Sequence, residues 1–148
     1  MTGSSGPALP QALLVAMDFS PSARRALDLS LAWCPQAEIT ALHVVDTEFA
    51  ARVEAKGLKT RAEVVAQLRG RADEEFAWLR QEKGAAAFVP MIVEGTPFVE
   101  IVKVARDIEV DMIAMGMHSG VARFDAFLFG STSEKVLRTS RCPVLCVP

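Results

Sequence analysis

The residues best suited to chemistry stand in the last third of the chain, where Met115-Gly-Met-His-Ser-Gly120 leads, nine residues on, to Gly130-Ser-Thr132. The second cluster opens a segment with helical patterning. A helix N-terminus carries unpaired N–H groups and a partial positive charge, which suits a phosphate. Glycines let the backbone approach closely and let successive N–H groups turn inward, and the Ser131 and Thr132 hydroxyls add donors. Gly116, Gly120, Gly130, Ser131 and Thr132 together predict a phosphate cradle. Read one at a time, Gly116 is a strand-end turn and Ser131 a helix cap. His118 lies in the same loop, within reach of a phosphate. Asp18 closes the first apolar run.

Several alternatives are absent from the sequence. It has no Gly-x-x-x-x-Gly-Lys-Ser/Thr phosphate loop, no Gly-x-Gly-x-x-Gly after the first strand, and no Gly-x-Ser-x-Gly elbow. Asp18, His118 and Ser131 converge on one edge, but a Ser at a helix start lacks the strained turn that exposes a nucleophile, so no catalytic triad is expected. No catalytic residue and no metal ligand set is assigned.

These residues must be positioned by elements that alternate along the whole chain. Ala12-Leu-Leu-Val-Ala-Met17 has the continuous apolar character of a strand covered on both faces. Ser20 and Pro21 then give a cap and a first helical residue, Ala23, Ala26, Leu27, Ser30 and Leu31 share a helical face, and Cys34-Pro35 ends it. Ile39 to Val45 is a second strand, closed by Asp46. Thr47 to Leu58 has weak periodicity and predicts a mobile connection. Thr60 and Glu63 have capping-box spacing before a long helix striped by Val65, Leu68, Ala72, Phe76 and Leu79, with Gly84 at its end. The third strand spans Phe88 to Glu94, and Pro90 puts it at an edge or a bulge. Thr96-Pro97 repeats the cap-then-proline signal ahead of Phe98, Ile101, Val102 and Ala105. Met112 to Met115 is a fourth strand, Ser131 and Glu134 again have capping-box spacing, and Pro143 to Val147 is the last strand. Alternating apolar strands and helices mean crossover units, hence a single parallel sheet with helices on both faces. In such a sheet ligands sit beyond the carboxyl ends of the strands, where Asp18, Val44, Asp46 and the 115–120 segment all emerge.

At 148 residues, 51% of them hydrophobic, the chain makes one domain with a real core. Residues 1–10 read as a flexible tail and 11–148 as the domain. A net charge of −2 argues against nucleic acid, and no apolar run reaches the roughly 20 residues of a membrane span. Without a signal-like N-terminus the expected location is cytoplasmic. Cys142 and Cys146 fall four apart in an expected strand, about 13 Å at 3.3 Å per residue, too far to bridge. All three cysteines, Cys34 included, are expected reduced and mostly buried. His43 reads as a packed strand histidine.

Four stretches, in order and at matching spacing, make the sequence resemble the universal stress protein family: Leu14-Val-Ala-Met-Asp-Phe-Ser20 with Ala26-Leu27; Ala41-Leu-His-Val-Val-Asp46; Val93-Glu-Gly-Thr-Pro97 running on to Val110-Asp-Met-Ile-Ala-Met-Gly-Met-His118; and Leu128-Phe-Gly-Ser-Thr-Ser-Glu-Lys-Val-Leu-Arg138 with Cys142-Pro-Val-Leu-Cys-Val147. The resemblance implies a Rossmann-like five-stranded sheet of order 3-2-1-4-5 and a homodimer through the C-terminal strand, with further protein partners unknown. It implies ATP, or ADP or AMP, as ligand, with Mg²⁺ accompanying the phosphates. Asp18 corresponds to the acid beside the adenosine, with Ala16 and Met17 before it at the strand end. Val44 corresponds to the backbone contact to the adenine edge, Met115 and Gly116 to the strand end that holds ribose and adenine, and Gly130, Ser131 and Thr132 to the phosphate grip. His118 and Gly120 belong to the loop between.

One feature departs from the nucleotide-binding pattern Gly-x2-Gly-x9-Gly-Ser/Thr. Three residues separate Gly116 from Gly120, so either the loop carries one extra residue or Ser119 takes the middle glycine's place. That departure supports a second reading, a nucleotide-free member acting through dimerisation and partners. A third reading is a weak ATPase or phosphotransferase using Asp18 or His118. Phe124, Phe127 and Phe129 make the loop aromatic, fit either to pack over the pocket or to meet a protein.

Overall fold

A computed structural model describes residues 8–118 and 130–148. Strand β1 (Ala12–Ala16) is central: Leu13, Leu14 and Val15 expose nothing to solvent. Helix α1 (Pro21–Trp33) follows, capped as its sequence dictates, with the Ala23 N–H donating to Ser20 Oγ at 3.2 Å and Pro21 at the first helical position. Cys34 ends it. Strand β2 (Glu38–Asp46) pairs parallel with β1, Ala12 beside Glu38 through Ala16 beside Leu42.

Residues 47–58 hold a helix, not the mobile connection expected: α2 spans Thr47–Ala55. Asp46 ends β2 and also caps α2, its Oδ1 accepting from the Glu48 and Phe49 N–H groups at 3.0 and 3.1 Å. Ala50 is the one α2 residue that is buried, so the apolar period is too thin to read. Helix α3 (Arg61–Lys83) opens with the complete Thr60–Glu63 capping box. It buries Val64, Ala72, Phe76 and Leu79, so Val64 takes the place expected for Val65.

Strand β3 (Val89–Gly95) forms one outer edge, which accommodates Pro90. Helix α4 (Pro97–Asp107), strand β4 (Met112–Gly116), helix α5 (Ser131–Thr139) and strand β5 (Val144–Val147) complete the chain. The five strands are parallel in the order β3-β2-β1-β4-β5. The pleat sends alternate residues to opposite faces. Leu13, Val15 and Met17 pack with Ala26 and Leu27 of α1 and Phe76 and Leu79 of α3. Leu14 and Ala16 pack with Ile101 and Val104 of α4 and Val136 of α5. All three cysteines are free; Cys34 is buried, while Cys142, which precedes β5 instead of lying in it, and Cys146 are half-buried. No described helix is long and apolar enough to cross a membrane.

Candidate functional site

Strand order reverses at β1: β2 lies on one side, β4 on the other, and each connection leaves on a different face. The chain must therefore part beyond the carboxyl ends of these strands, which is where open parallel sheets place ligands. A cleft of about 290 Å³ opens there, near the lower end of the roughly 300–1,000 Å³ usual for small-molecule sites.

Of the residues the sequence singles out, Ala16, Met17, Asp18, Val44, Met115, Gly116, His118, Gly130, Ser131 and Thr132 line this cleft. Gly120 lies outside the described residues, as do Ser119, Phe124, Phe127 and Phe129. Leu42, His43, Asp46, Pro97, Ile101 and Ser133 also line it. Asp46 emerges at this edge in the sequence as well; the sequence marks Leu42, His43, Pro97 and Ile101 for packing or a helix start, and gives Ser133 no role. Their patterns do signal core and caps, and nothing in one sequence marks where the core opens.

The turn from β1 to α1 forms the floor. Phe19 has φ 66°, a left-handed conformation rare for a bulky residue. It reverses the chain so that Asp18 Oδ1 accepts from the Ser20 N–H at 2.9 Å. The Phe19 ring then stacks between His43, 5.1 Å away, and Phe76, 5.0 Å away edge-on. That packing offsets a backbone cost of about 1–3 kcal/mol.

Gly116 proves to be a packing glycine. A Cβ there would sit 2.2 Å from Ser22 Oγ and 2.8 Å from the Ala23 backbone nitrogen. The end of β4 thus touches the start of α1, and Ser22 Oγ donates to the His118 carbonyl at 2.8 Å. The Gly130 N–H donates to the Met117 carbonyl at 2.7 Å, and Ser133 Oγ is shared between the Met117 and Gly130 carbonyls. These bonds tie Met117 and His118 to the starts of α5 and α1.

The cap of α5 differs from expectation. Gly130 is the N-cap and Ser131 the first helical residue, so no side chain caps the helix, and Glu134 accepts from Arg138 at 2.9 Å instead of completing a capping box. Among the described residues nothing accepts from the Ser131 or Thr132 N–H groups. Asp18 Oδ1 accepts from the Ser20 N–H and the His118 carbonyl from Ser22 Oγ. Burial lowers the His43 pKa, against the opposing effects of its bond to the Met17 carbonyl and the nearby Asp18 charge. Among the described residues no group of three or more His, Cys, Asp or Glu is placed to hold a metal.

Ala16, Leu42, Ile101 and Met115 give the cleft an apolar lining, and the start of α5, which also lines it, offers backbone donors. Together with the sheet order, this defines a Rossmann-like α/β protein with its site at the topological switch point. The universal stress protein family model matches residues 11–148, and the chain belongs to that family. Universal stress protein MJ0577 of Methanocaldococcus jannaschii is 33% identical, over 91% of this chain and 93% of its own length. A solved structure of MJ0577 superposes with a TM-score of 0.78 at 32% identity, covering 93% of this chain and 94% of that one. An Arabidopsis thaliana universal stress protein solved with AMP bound shares the fold at 18% identity, TM-score 0.58, over 93% and 91% of the two chains. So does a universal stress protein in complex with cAMP, at 20% identity, TM-score 0.58, over 95% and 98%.

Proposed function

We propose that the cleft binds an adenine nucleotide and that this chain is a regulatory protein of the stress response. The observation that carries this reading is the pairing, in one cleft at the switch point, of an apolar slot with the uncapped start of α5. Ala16, Leu42, Ile101 and Met115 suit the flat faces of a base, and the backbone of Val44 suits its polar edge. Asp18 stands where a ribose hydroxyl would donate. The Ser131 and Thr132 N–H groups suit a phosphate. ATP, ADP and AMP all fit this description, and the AMP and cAMP held by two fold relatives support an adenine ligand. Mg²⁺ would arrive with the phosphates, held by them and by water.

In this reading the nucleotide serves as a signal that changes the loop or the assembly. Strand β5 closes the outer edge of the sheet, and an edge strand suits pairing with a second copy in a homodimer.

The test is calorimetric titration of the purified chain with AMP, ADP and ATP, alongside thermal melts. Saturable binding and a raised melting temperature are expected; ligand at 100 times its Kd stabilises by about 2.7 kcal/mol. No heat and no shift with any of the three at millimolar concentration would overturn the reading. The spacing of Gly116 and Gly120 favours the alternative, a nucleotide-free member working through dimerisation. Under that alternative the native chain binds nothing, and deletion of Ser119 creates binding.

A further inference from the structure

Where β1 and β2 part, one hydrogen bond differs from what a parallel ladder prescribes. The Leu42 carbonyl accepts from the Met17 N–H at 2.7 Å, so Thr40, Leu42 and Val44 turn their backbone groups toward β1. One rung further along, the ladder would pair the Val44 N–H with the Met17 carbonyl. That carbonyl is instead bonded to Nδ1 of His43 at 2.7 Å. Among the described residues no group accepts from the Val44 N–H. A carbonyl only accepts, so Nδ1 carries the proton and, in the neutral ring, Nε2 does not. The ring is held in place by Phe19 at 5.1 Å. Burial keeps His43 below its usual pKa and so neutral at pH 7.

We propose that His43 is a positioning residue: its Nδ1–H stops the β1–β2 ladder one rung early and so leaves the Val44 N–H and C=O as a donor–acceptor pair facing the cleft. One extended residue presents these two groups side by side. That pair complements the Watson–Crick edge of adenine, which offers an N6–H donor beside the N1 acceptor, and it mismatches guanine, whose edge reverses the order. The choice of adenine rests on the function proposed above; the interrupted ladder does not.

The ladder is tested on the full chain without ligand, by amide hydrogen exchange at Val44. The native amide exchanges fast. In His43→Phe, which keeps a ring and removes the donor, the ladder closes onto Met17 and exchange slows about tenfold or more. His43→Asn, which restores a donor, exchanges as the native chain does. Base recognition is tested with AMP and GMP. His43→Phe loses about tenfold in AMP affinity with GMP unchanged, and His43→Asn regains most of it. Slow exchange at Val44 in the native chain, or exchange unaltered in His43→Phe, overturns the interrupted ladder. An unchanged AMP-to-GMP ratio overturns the role in base selection. Should the native chain bind neither nucleotide, the proposed function falls while the exchange result still decides the ladder. If His43→Phe fails to fold, imidazole ¹⁵N spectra of the native protein decide: a proton on Nδ1 supports the proposal, and a proton on Nε2 alone overturns it.

Discussion

Two helices begin at the same edge of the sheet, and their beginnings differ. Helix α1 closes its own N-terminus. Ser20 Oγ takes the Ala23 N–H, Pro21 has no N–H to satisfy, and Asp18 takes the Ser20 N–H. The end of β4 then presses against it at Gly116. Helix α5 begins on Gly130, which has no side chain to cap with, and the nearby Ser133 hydroxyl donates back to carbonyls instead of accepting. Both starts carry the same partial positive charge. A helix start closed by a side-chain cap serves architecture, and one without such a cap beside a cleft is available to an anion. The difference lies in a single cap residue.

The largest effect is expected from forcing the closed start apart. In Gly116→Ala the new Cβ meets Ser22 and the Ala23 backbone, and we expect a loss of about 3 kcal/mol in urea unfolding. Adding Ser22→Ala should recover part of this loss but not all, because the clash with the Ala23 nitrogen remains. Full recovery would show that contact with the backbone is not limiting. Next, the open start can be closed. Gly130 has φ −65° and ψ 158°, which any residue adopts, so Gly130→Asp should cap α5 and raise stability by about 1 kcal/mol. The same carboxylate occupies the anion position, and AMP affinity should fall about tenfold. Higher stability with undiminished affinity would end the proposed phosphate role of α5.

Ser20→Ala provides the converse. It should cost about 1 kcal/mol of stability and leave nucleotide titrations unchanged; weakened binding would mean that the α1 start also takes part. The smallest effect is a pH dependence. The folded His43 pKa lies below 6.5, its value in an unstructured chain. Below pH 6.5 the unfolded chain takes up the proton first, so the stabilisation is present above 6.5 and is lost as pH falls toward the folded value. Melting temperature should drop between pH 7 and pH 5, and drop less in His43→Asn. Equal slopes in the two proteins would assign the dependence to other groups.

The parallel sheet was legible because its apolar strands alternate with helices, which means crossover units; the strand order came with the family resemblance. Helix α2 was not legible, since a single Asp46 ends one element and begins the next and only Ala50 is buried. The α5 boundary was misplaced by one residue, because Ser131 and Glu134 have the spacing of a capping box they do not form. Within the cleft, residue types and strand ends marked Asp18, Val44, Met115 and the Gly130–Thr132 segment. Leu42, His43 and Ile101 read as packing residues, because periodicity tells which face a side chain takes and says nothing about where packing stops.

By itself the sequence determined the family, the parallel sheet and the edge at which the cleft opens, since these follow from local patterning and from motifs contiguous in the chain. Only the tertiary structure decided that Gly116 makes room for Ser22, that α5 starts without a side-chain cap, and that His43 holds the Met17 carbonyl. Each of these joins atoms from separate segments at distances of a few ångströms, and no periodicity within a single segment encodes a distance to another.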